Sequence, residues 1–314
     1  MHLTNRTSCY MLSLKYYYKN PRVLLSSLVR VMNFLFPDKL YLKIIFFLNT
    51  GNRLNLKDPI TFSEKQQWLK LYDRKPEYTM MVDKYAVKDY VARLIGDKYI
   101  IPTLGIWDRP EQIEWDKLPN QFVLKTTHGG GNTGVVICKD KTTFNRNMAV
   151  KKLKNSFKQN IYCSLREWPY KNVPRRILAE KYIAPSPPAN ELPDYKFFCF
   201  NGEPRYCQVI SGRTSKMCVD FFDRNWIHQP FHEPQNYPHA DIEPRKPVNL
   251  EIMWKAATKL AAGKPFSRID FYDLGDRVYF GEITFFPTSG MGGFSPKYFD
   301  TIMGRMVTLP RKNN

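Results

Sequence analysis

Acid is what this chain lacks at its start. The first 37 residues hold no Asp or Glu but five basic residues, Arg6, Lys15, Lys19, Arg22 and Arg30. Over all 314 residues, 48 Lys plus Arg stand against 29 acidic residues, a formal net charge of +19. That excess predicts attraction to something anionic, whether nucleic acid, a membrane surface, a nucleotide or an acidic polymer, and does not choose among them. Regular cysteine spacing is missing too. Cys9, Cys138, Cys163, Cys199, Cys207 and Cys218 form no CxxC pair and no framework, which reads as buried or partly buried thiols in a reducing cytoplasm. Cys199 and Cys207 straddle Asn201-Gly202, so a bridge across a hairpin stays open. No run is long and apolar enough to cross a bilayer. Val23–Phe36 is too short and too charged, and no small-residue cleavage site marks it as a signal peptide. With 43% hydrophobic and 15% aromatic residues, disorder is excluded as well.

What is present centres on Pro265–Thr284, which reads as a β-hairpin. Two runs of aromatic and β-branched residues flank the turn chemistry of Asp273-Leu-Gly-Asp276. Side chains alternate along a strand, so Arg268 and Asp270 share one face while Ile269 and Phe271 take the other. A turn centred on Gly275 sets Arg268 opposite Glu282, with Asp270 diagonal to it and Thr284 on the same face. Carboxylates so placed, with Cα atoms roughly 7–8 Å apart, can both reach one ion. Hard oxygen donors without imidazole or thiolate suit Mg²⁺. The other reading of the hairpin alone is an exposed turn with a cross-strand Arg–Glu pair. The Gly-rich Phe285–Gly293 loop that follows favours a ligand site, since glycine lets backbone approach a ligand closely.

A second informative stretch is Phe122–Cys138, where a strand delivers Lys125 to Thr126-Thr-His-Gly-Gly-Gly-Asn-Thr-Gly134 and a second strand leaves. Backbone N–H groups in such a turn can cradle a polyphosphate beside the Lys, although hairpin loops need glycines too. The Gly-Lys-Ser/Thr ending of Walker A is absent. Asp83–Val91 reads as a helix with Lys84 and Lys88 one turn apart, offering two cations to one anion or simply a solvated face. Asp194–Ile210 is a hairpin with an Asn-Gly turn, and Asp194 and Lys196 share a face of its first strand. Arg175–Ile183 is an apolar strand, and Pro185–Pro193 a surface connection. Ser63 reads as the cap of a helix burying Trp68, Leu69 and Tyr72. Asn249–Lys264 reads as a helix with Ile252, Ala256 and Leu260 inward. His228, His232 and His239 suggest zinc, but five prolines from Pro230 to Pro247 make a loop the better reading. Leu24, Leu28, Val31 and Leu35 form the stripe of an amphipathic helix, which either lies in a membrane interface or packs on the body with its basic side solvated.

Arg-x-Asp, a hairpin, Glu-x-Thr and a Pro- and Gly-bearing loop together resemble the metal-binding end of the ATP-grasp fold, as in D-alanine–D-alanine ligases, which usually carry Asn where this chain has Thr284. Asn55-Leu-x-x-Pro-x-Thr-Phe-x-Glu-Lys-x-x-Trp-x-Lys-Leu-Tyr72 is similar to the entry segment of the TupA-like ATP-grasp family of surface-polysaccharide biosynthesis. The resemblance runs from about Pro37 to Pro310. It implies an α+β protein with the ATP-grasp fold, two α+β lobes clamping ATP, and an N-terminal helical segment. On this reading residues 1–60 are a basic helical segment, 61–115 a helical region, 116–183 the smaller lobe and 184–314 the larger. The resemblance further implies Mg²⁺ at Asp270, Glu282 and Thr284, with Arg268, Lys125 and Lys84 acting on the transferring phosphoryl. Lys125, His128, Gly129, Gly130 and Gly131 would cover the phosphates, and Glu180, Lys181, Tyr182 and Ile183 would line adenine and ribose. Asp194 and Lys196 would serve the ribose or phosphate side.

The activity implied is carboxylate–amine ligation through an acylphosphate. An acidic saccharide acceptor suits the charge, and a small amine, an amino acid or amino alcohol, would be joined to it. The location implied is the cytoplasm, with peripheral contact at the inner membrane face as an option. Rival readings are a glycosyltransferase, for which Asp220-Phe-Phe-Asp223 has the wrong metal-motif spacing, and a sugar kinase using the same ATP site. A nucleic-acid-binding protein accounts for the charge but leaves the acidic pair and both Gly-rich loops without a purpose, so no nucleic acid is expected.

Overall fold

The computed structural model describes residues 20–185, 191–192, 194–213, 215–233 and 235–311. Arg6, Lys15, Lys19, Cys9 and most of the Pro185–Pro193 run lie outside the described residues. The chain forms two compact units and passes between them at 54/55, 102/103 and 182/183, where the sequence reading divided it at 60, 115 and 183. Both are mixed α+β with an antiparallel sheet.

The first unit takes α1 (Pro21–Val31) and α2 (Asp38–Thr50) from the N-terminal part. It then takes β1 (Thr103–Trp107), β2 (Phe122–Thr126), β3 (Val135–Cys138) and β4 (Ile177–Lys181), in spatial order β1-β4-β2-β3. One face buries Phe122, Leu124, Ile177 and Ala179 against Leu153 of the helix Arg146–Phe157, which follows β3. The short helix Ile161–Leu165 ends at Arg166, whose guanidinium pairs with Asp38 at 2.9 Å and lies 4.2 Å from the centre of the Tyr41 ring. That clamp seats α2 and the Asn33–Phe36 turn before it. The stripe does not pack inward as half of the expectation had it: Leu24, Leu28, Val31 and Leu35 are 41%, 50%, 74% and 55% exposed, while Ser26 and Val29 are buried.

The second unit holds the five-stranded sheet β7-β6-β5-β8-β9, built from β5 (Asp194–Phe200), β6 (Glu203–Ser211), β7 (Cys218–Phe222), β8 (Phe266–Asp273) and β9 (Val278–Thr284). The β5–β6 turn is Asn201-Gly202 with φ of 50° and 87°, the left-handed pair that a two-residue hairpin needs. The helix Leu250–Ala261 covers one face, with Trp254 edge-on to Phe197. Ile252 is exposed, because Met253, Trp254 and Ala257 supply the inward side. Over the other face, the helix Phe62–Tyr72 packs Phe62 against Phe200, Phe266 and Phe294. Its cap is Thr61, not Ser63: the Thr61 hydroxyl accepts from Glu64 N and Glu64 reaches back to Thr61 N, a capping box. Tyr72 is only half-buried, and Gln66, Gln67 and Lys70 are buried instead. Cys199 pairs with Pro204 and Cys207 with Phe197, so both remain free thiols.

The predicted Asp83–Val91 helix is interrupted. Asp83 Oδ1 accepts from Tyr85 N and Ala86 N, turning the chain so that the helix runs Val87–Ile95. Lys84 therefore precedes it, and Lys88 is buried, donating to the Ile101 carbonyl at 2.7 Å. The two lysines do not form a twin cation.

In the helix Tyr298–Met306, a Cβ on Gly304 would sit 2.1 Å from the Ile60 carbonyl oxygen. Helix propensity favours Gly304→Ala by about 1 kcal/mol, whereas overpacking costs about 1–3 kcal/mol. Urea unfolding should therefore show Gly304→Ala to be the less stable protein.

Candidate active site

In the second unit a row of polar residues crosses four neighbouring strands. Gln208 on β6 pairs with Lys196 on β5, Lys196 with Asp270 on β8, and Asp270 with Glu282 on β9. This corrects the expected register. Asp270 is directly opposite Glu282, and Arg268 is opposite Thr284, because the turn is one position longer and the ladder slips between Asp270 and Phe271. Gly281 is the extra residue, and its Cβ would meet the Asp270 carbonyl oxygen at 3.1 Å.

Arg268 holds the row together. Its Nε donates to Asp270 Oδ1 at 2.7 Å, and Nη2 donates to Asp270 Oδ2 at 2.7 Å, to Glu282 Oε1 at 2.8 Å and to Thr284 Oγ1 at 3.2 Å. The Thr284 hydroxyl donates to Glu282 Oε1 at 3.1 Å. Lys196 Nζ bonds Asp270 and lies 2.9 Å from Asp194, whose other cation is Arg213. Burial alone would raise the Glu282 carboxyl, but Arg268, then Lys84 and Lys196, outweigh it and hold it at about 2. Burial likewise works against the Lys196 ammonium, and Asp194 and Asp270 outweigh it, raising its pKa.

Sequence reasoning missed Gln208, Arg213 and Glu233. Glu233 comes from the irregular loop between β7 and the helix at Leu250. Burial pushes its carboxyl up, against Gln208, Arg268 and Lys196. Nothing in a Pro-rich stretch signals that placement. Gln208 was hidden by a second slip, between Phe198 and Cys199, without which Lys196 would face Cys207.

The Phe285–Gly293 loop is shaped by protein contacts rather than by open space. Thr288, Ser289 and Gly290 have φ of 49°, 56° and 59°. A Cβ on Gly290 would lie 2.4 Å from Gln66 Cβ, and one on Gly293 would lie 2.6 Å from the Asp300 carboxyl. The buried Lys70 donates to Ser289 O at 2.8 Å and Oγ at 2.6 Å, and Gln67 to Gly290 O at 2.7 Å. The glycines permit close packing on two helices, a different reason from the one expected.

In the first unit Lys125 Nζ lies 2.7 Å from Glu180 Oε2, across the β2–β4 pair. The Gly-rich loop folds back over Thr126, whose hydroxyl meets Ser156 Oγ at 2.8 Å, so that a Cβ on Gly129 would lie 2.4 Å from Thr126 Oγ1. His128 is buried, with Nε2 3.2 Å from the Ser156 carbonyl and its ring edge-on to Phe157. It secures the loop. Gly130 and Gly131 follow it, and Gly131 has φ of 56°. Glu180 is buried at the end of β4, Lys181 is exposed, and Tyr182 and Ile183 fall at the passage between units.

Residues 64–308 match the family profile described as TupA-like ATP-grasp. The chain belongs to the TupA-like ATP-grasp family. ATP and Mg²⁺ are the cofactors typical of that fold, and ATP-dependent ligation is its general chemistry. Among solved structures the chain is similar to the D-alanine–D-alanine ligase of Bacillus anthracis, at 17% identity and a TM-score of 0.39, over 66% of this chain and 58% of that one. The Helicobacter pylori ligase gives 14% and 0.42 over 79% and 69%. The ATP-grasp ligase PsnB, complexed with a precursor variant, Mg and ADP, gives 10% and 0.37 over 87% and 65%. The chain thus spans less than two thirds of the length of the first of these. No curated protein sequence matches it.

The Glu282 carboxyl, ordinarily near 4.5, is depressed in the folded protein. Its contribution to stability is present above pH 4.5 and is lost as pH falls through about 2. The side chain is 37% exposed, so solvent screening keeps the effect small. Urea titrations of the wild type and Glu282→Gln should show an advantage for the wild type at neutral pH that closes between those two values.

Proposed function

We propose that this TupA-like ATP-grasp protein is a carboxylate–amine ligase that forms an amide. The observation that carries the reading is the Asp270–Glu282 pair, directly opposed on neighbouring strands with one guanidinium bonded to both. Two carboxylates and the Thr284 hydroxyl are hard oxygen donors that fit Mg²⁺, and they would hold it. When bound, Mg²⁺ would neutralise charge on the phosphate oxygens.

The chain's own residues support the remaining roles. Lys125 and the His128–Gly131 loop would cover the phosphates, and Glu180, Lys181, Tyr182 and Ile183 would take the base and ribose. Asp194 and Lys196 would serve the ribose or phosphate side of the nucleotide. Arg268, Lys84 and Lys125 would spread the charge of the phosphoryl in transfer. The substrate carboxylate would attack the γ-phosphorus and release ADP. The amine would then attack the acylphosphate carbon, expelling phosphate and losing a proton to give the amide. The net charge of +19 favours an anionic acceptor, and we infer a uronic-acid carboxylate of a surface polysaccharide or its precursor, joined to an amino acid or amino alcohol.

Among the described residues, no helix is long and apolar enough to cross a membrane. The exposed stripe of α1, a helix that also carries Arg22 and Arg30, supports peripheral contact with an anionic membrane surface, and the free thiols support a cytoplasmic site of action.

Calorimetry with Mg²⁺ tests the core of this reading. ATP should bind, and Asp270→Asn or Glu282→Gln should weaken it at least ~100-fold, a loss of about 2.7 kcal/mol. Binding of a UDP-sugar without ATP would overturn the ligase in favour of a glycosyltransferase. Phosphorylated sugar as the end product, without an amide, would identify a kinase.

A further inference from the structure

Outside the candidate active site two histidines meet one buried carboxylate, and a third histidine stacks on one of them. Asp220, on the edge strand β7, is 1% exposed, and its Oδ1 lies 2.9 Å from His228 Nε2 and 3.2 Å from His239 Nδ1. The donor atoms of these three residues all lie within 4.8 Å of one another. The ring centres of His228 and His239 are 4.5 Å apart, and His232 stacks on His239 at 4.0 Å. His232 directs its Nδ1 to the Tyr237 carbonyl, so it braces the cluster from the side.

We propose that Asp220, His228 and His239 form a site for a divalent transition metal of the Zn²⁺ class. Zinc bonds to imidazole nitrogen and carboxylate oxygen are about 2.0–2.2 Å, which makes a tetrahedral edge about 3.3 Å long. The edge from Asp220 Oδ1 to His228 Nε2 is 2.9 Å and that to His239 Nδ1 is 3.2 Å; His239 Nδ1 also lies 3.1 Å from the Val219 carbonyl oxygen, a hydrogen bond that metal binding would replace. Two imidazoles and one carboxylate prefer Zn²⁺, Co²⁺ or Ni²⁺ over Mg²⁺. His228 and His239 keep about a quarter of their side-chain surface exposed, so a metal has an entry path and water a fourth corner.

The site has a structural purpose. Between Phe222 and Leu250 the described residues form no helix and no strand beyond isolated bridges. A connection of that length inside a compact unit is unusual unless it serves a site. His228 and His239 tie both arms of the loop to β7. Between them the paired backbones of His232 and Ser295 join it to the segment after β9, and Glu233 is set within hydrogen-bond reach of Gln208. The metal fastens the loop that completes the polar row.

The test uses the full chain without a histidine tag, stripped with chelator and dialysed against Zn²⁺ in excess Mg²⁺. Mass spectrometry of metal content should find one zinc per chain. His228→Ala and His239→Ala should each weaken zinc at least ~10–100-fold, while His2→Ala leaves it unchanged. A Co²⁺-loaded sample should show the visible bands of a tetrahedral site, lost in Asp220→Asn. Wild-type protein that retains no zinc overturns the proposal whatever the variants do. Stoichiometric zinc that survives both histidine substitutions, in variants with wild-type circular dichroism, places the metal elsewhere and overturns it equally.

Discussion

The second unit depends on one guanidinium. Asp270 and Glu282 face each other across a strand pair, where like charges repel, and both lie where burial favours the neutral acid. Arg268 removes the conflict by bonding both. Its planar fork reaches two oxygens of one carboxylate and one of the next, a geometry that an ammonium cannot match. Lys196 gives Asp270 a second cation, and Asp194 and Arg213 extend the alternation outward. Removal of a central charge would leave its neighbours buried and unpaired, which is why such networks fail as a whole rather than one bond at a time.

Much of this was legible in the residues alone. Arg268, Asp270, Glu282 and Thr284 were placed on one face by alternation along the strands, and they do share it. Asn201-Gly202 marked its hairpin, and the glycines after Thr126 marked theirs. These features follow from local rules about pleat and positive φ, and local rules are what a single sequence carries.

The rest depended on irregularities that no period reveals. Two bulges, at Gly281 and near Arg205, each shift a ladder by one residue. Because the pleat repeats every two residues, each shift exchanges the faces of everything beyond it. Without the first, Glu282 would point to the face covered by the helix Leu250–Ala261. Without the second, a cysteine would replace Gln208 beside Lys196. Gly281 was a visible hint of a bulge, whereas Arg205 offered none. The Lys84–Lys88 pairing failed for a similar reason: one Asp side chain, bonded to two backbone amides, stopped a helix that the surrounding pattern favoured.

The crossing of the chain between units has a consequence for how the protein is made. Ser63 bonds to Asp300 across 237 positions, and Lys70 to Ser289 across 219. During synthesis the helix at Phe62 emerges long before the strands and helix it packs on, so Phe62 and Trp68 stay exposed to solvent or chaperones meanwhile. Closing loops of that length is slow, although the added entropy grows only with the logarithm of their length. The packing of the Phe62 helix can be completed only after the Tyr298–Met306 helix, which carries Asp300, has left the ribosome.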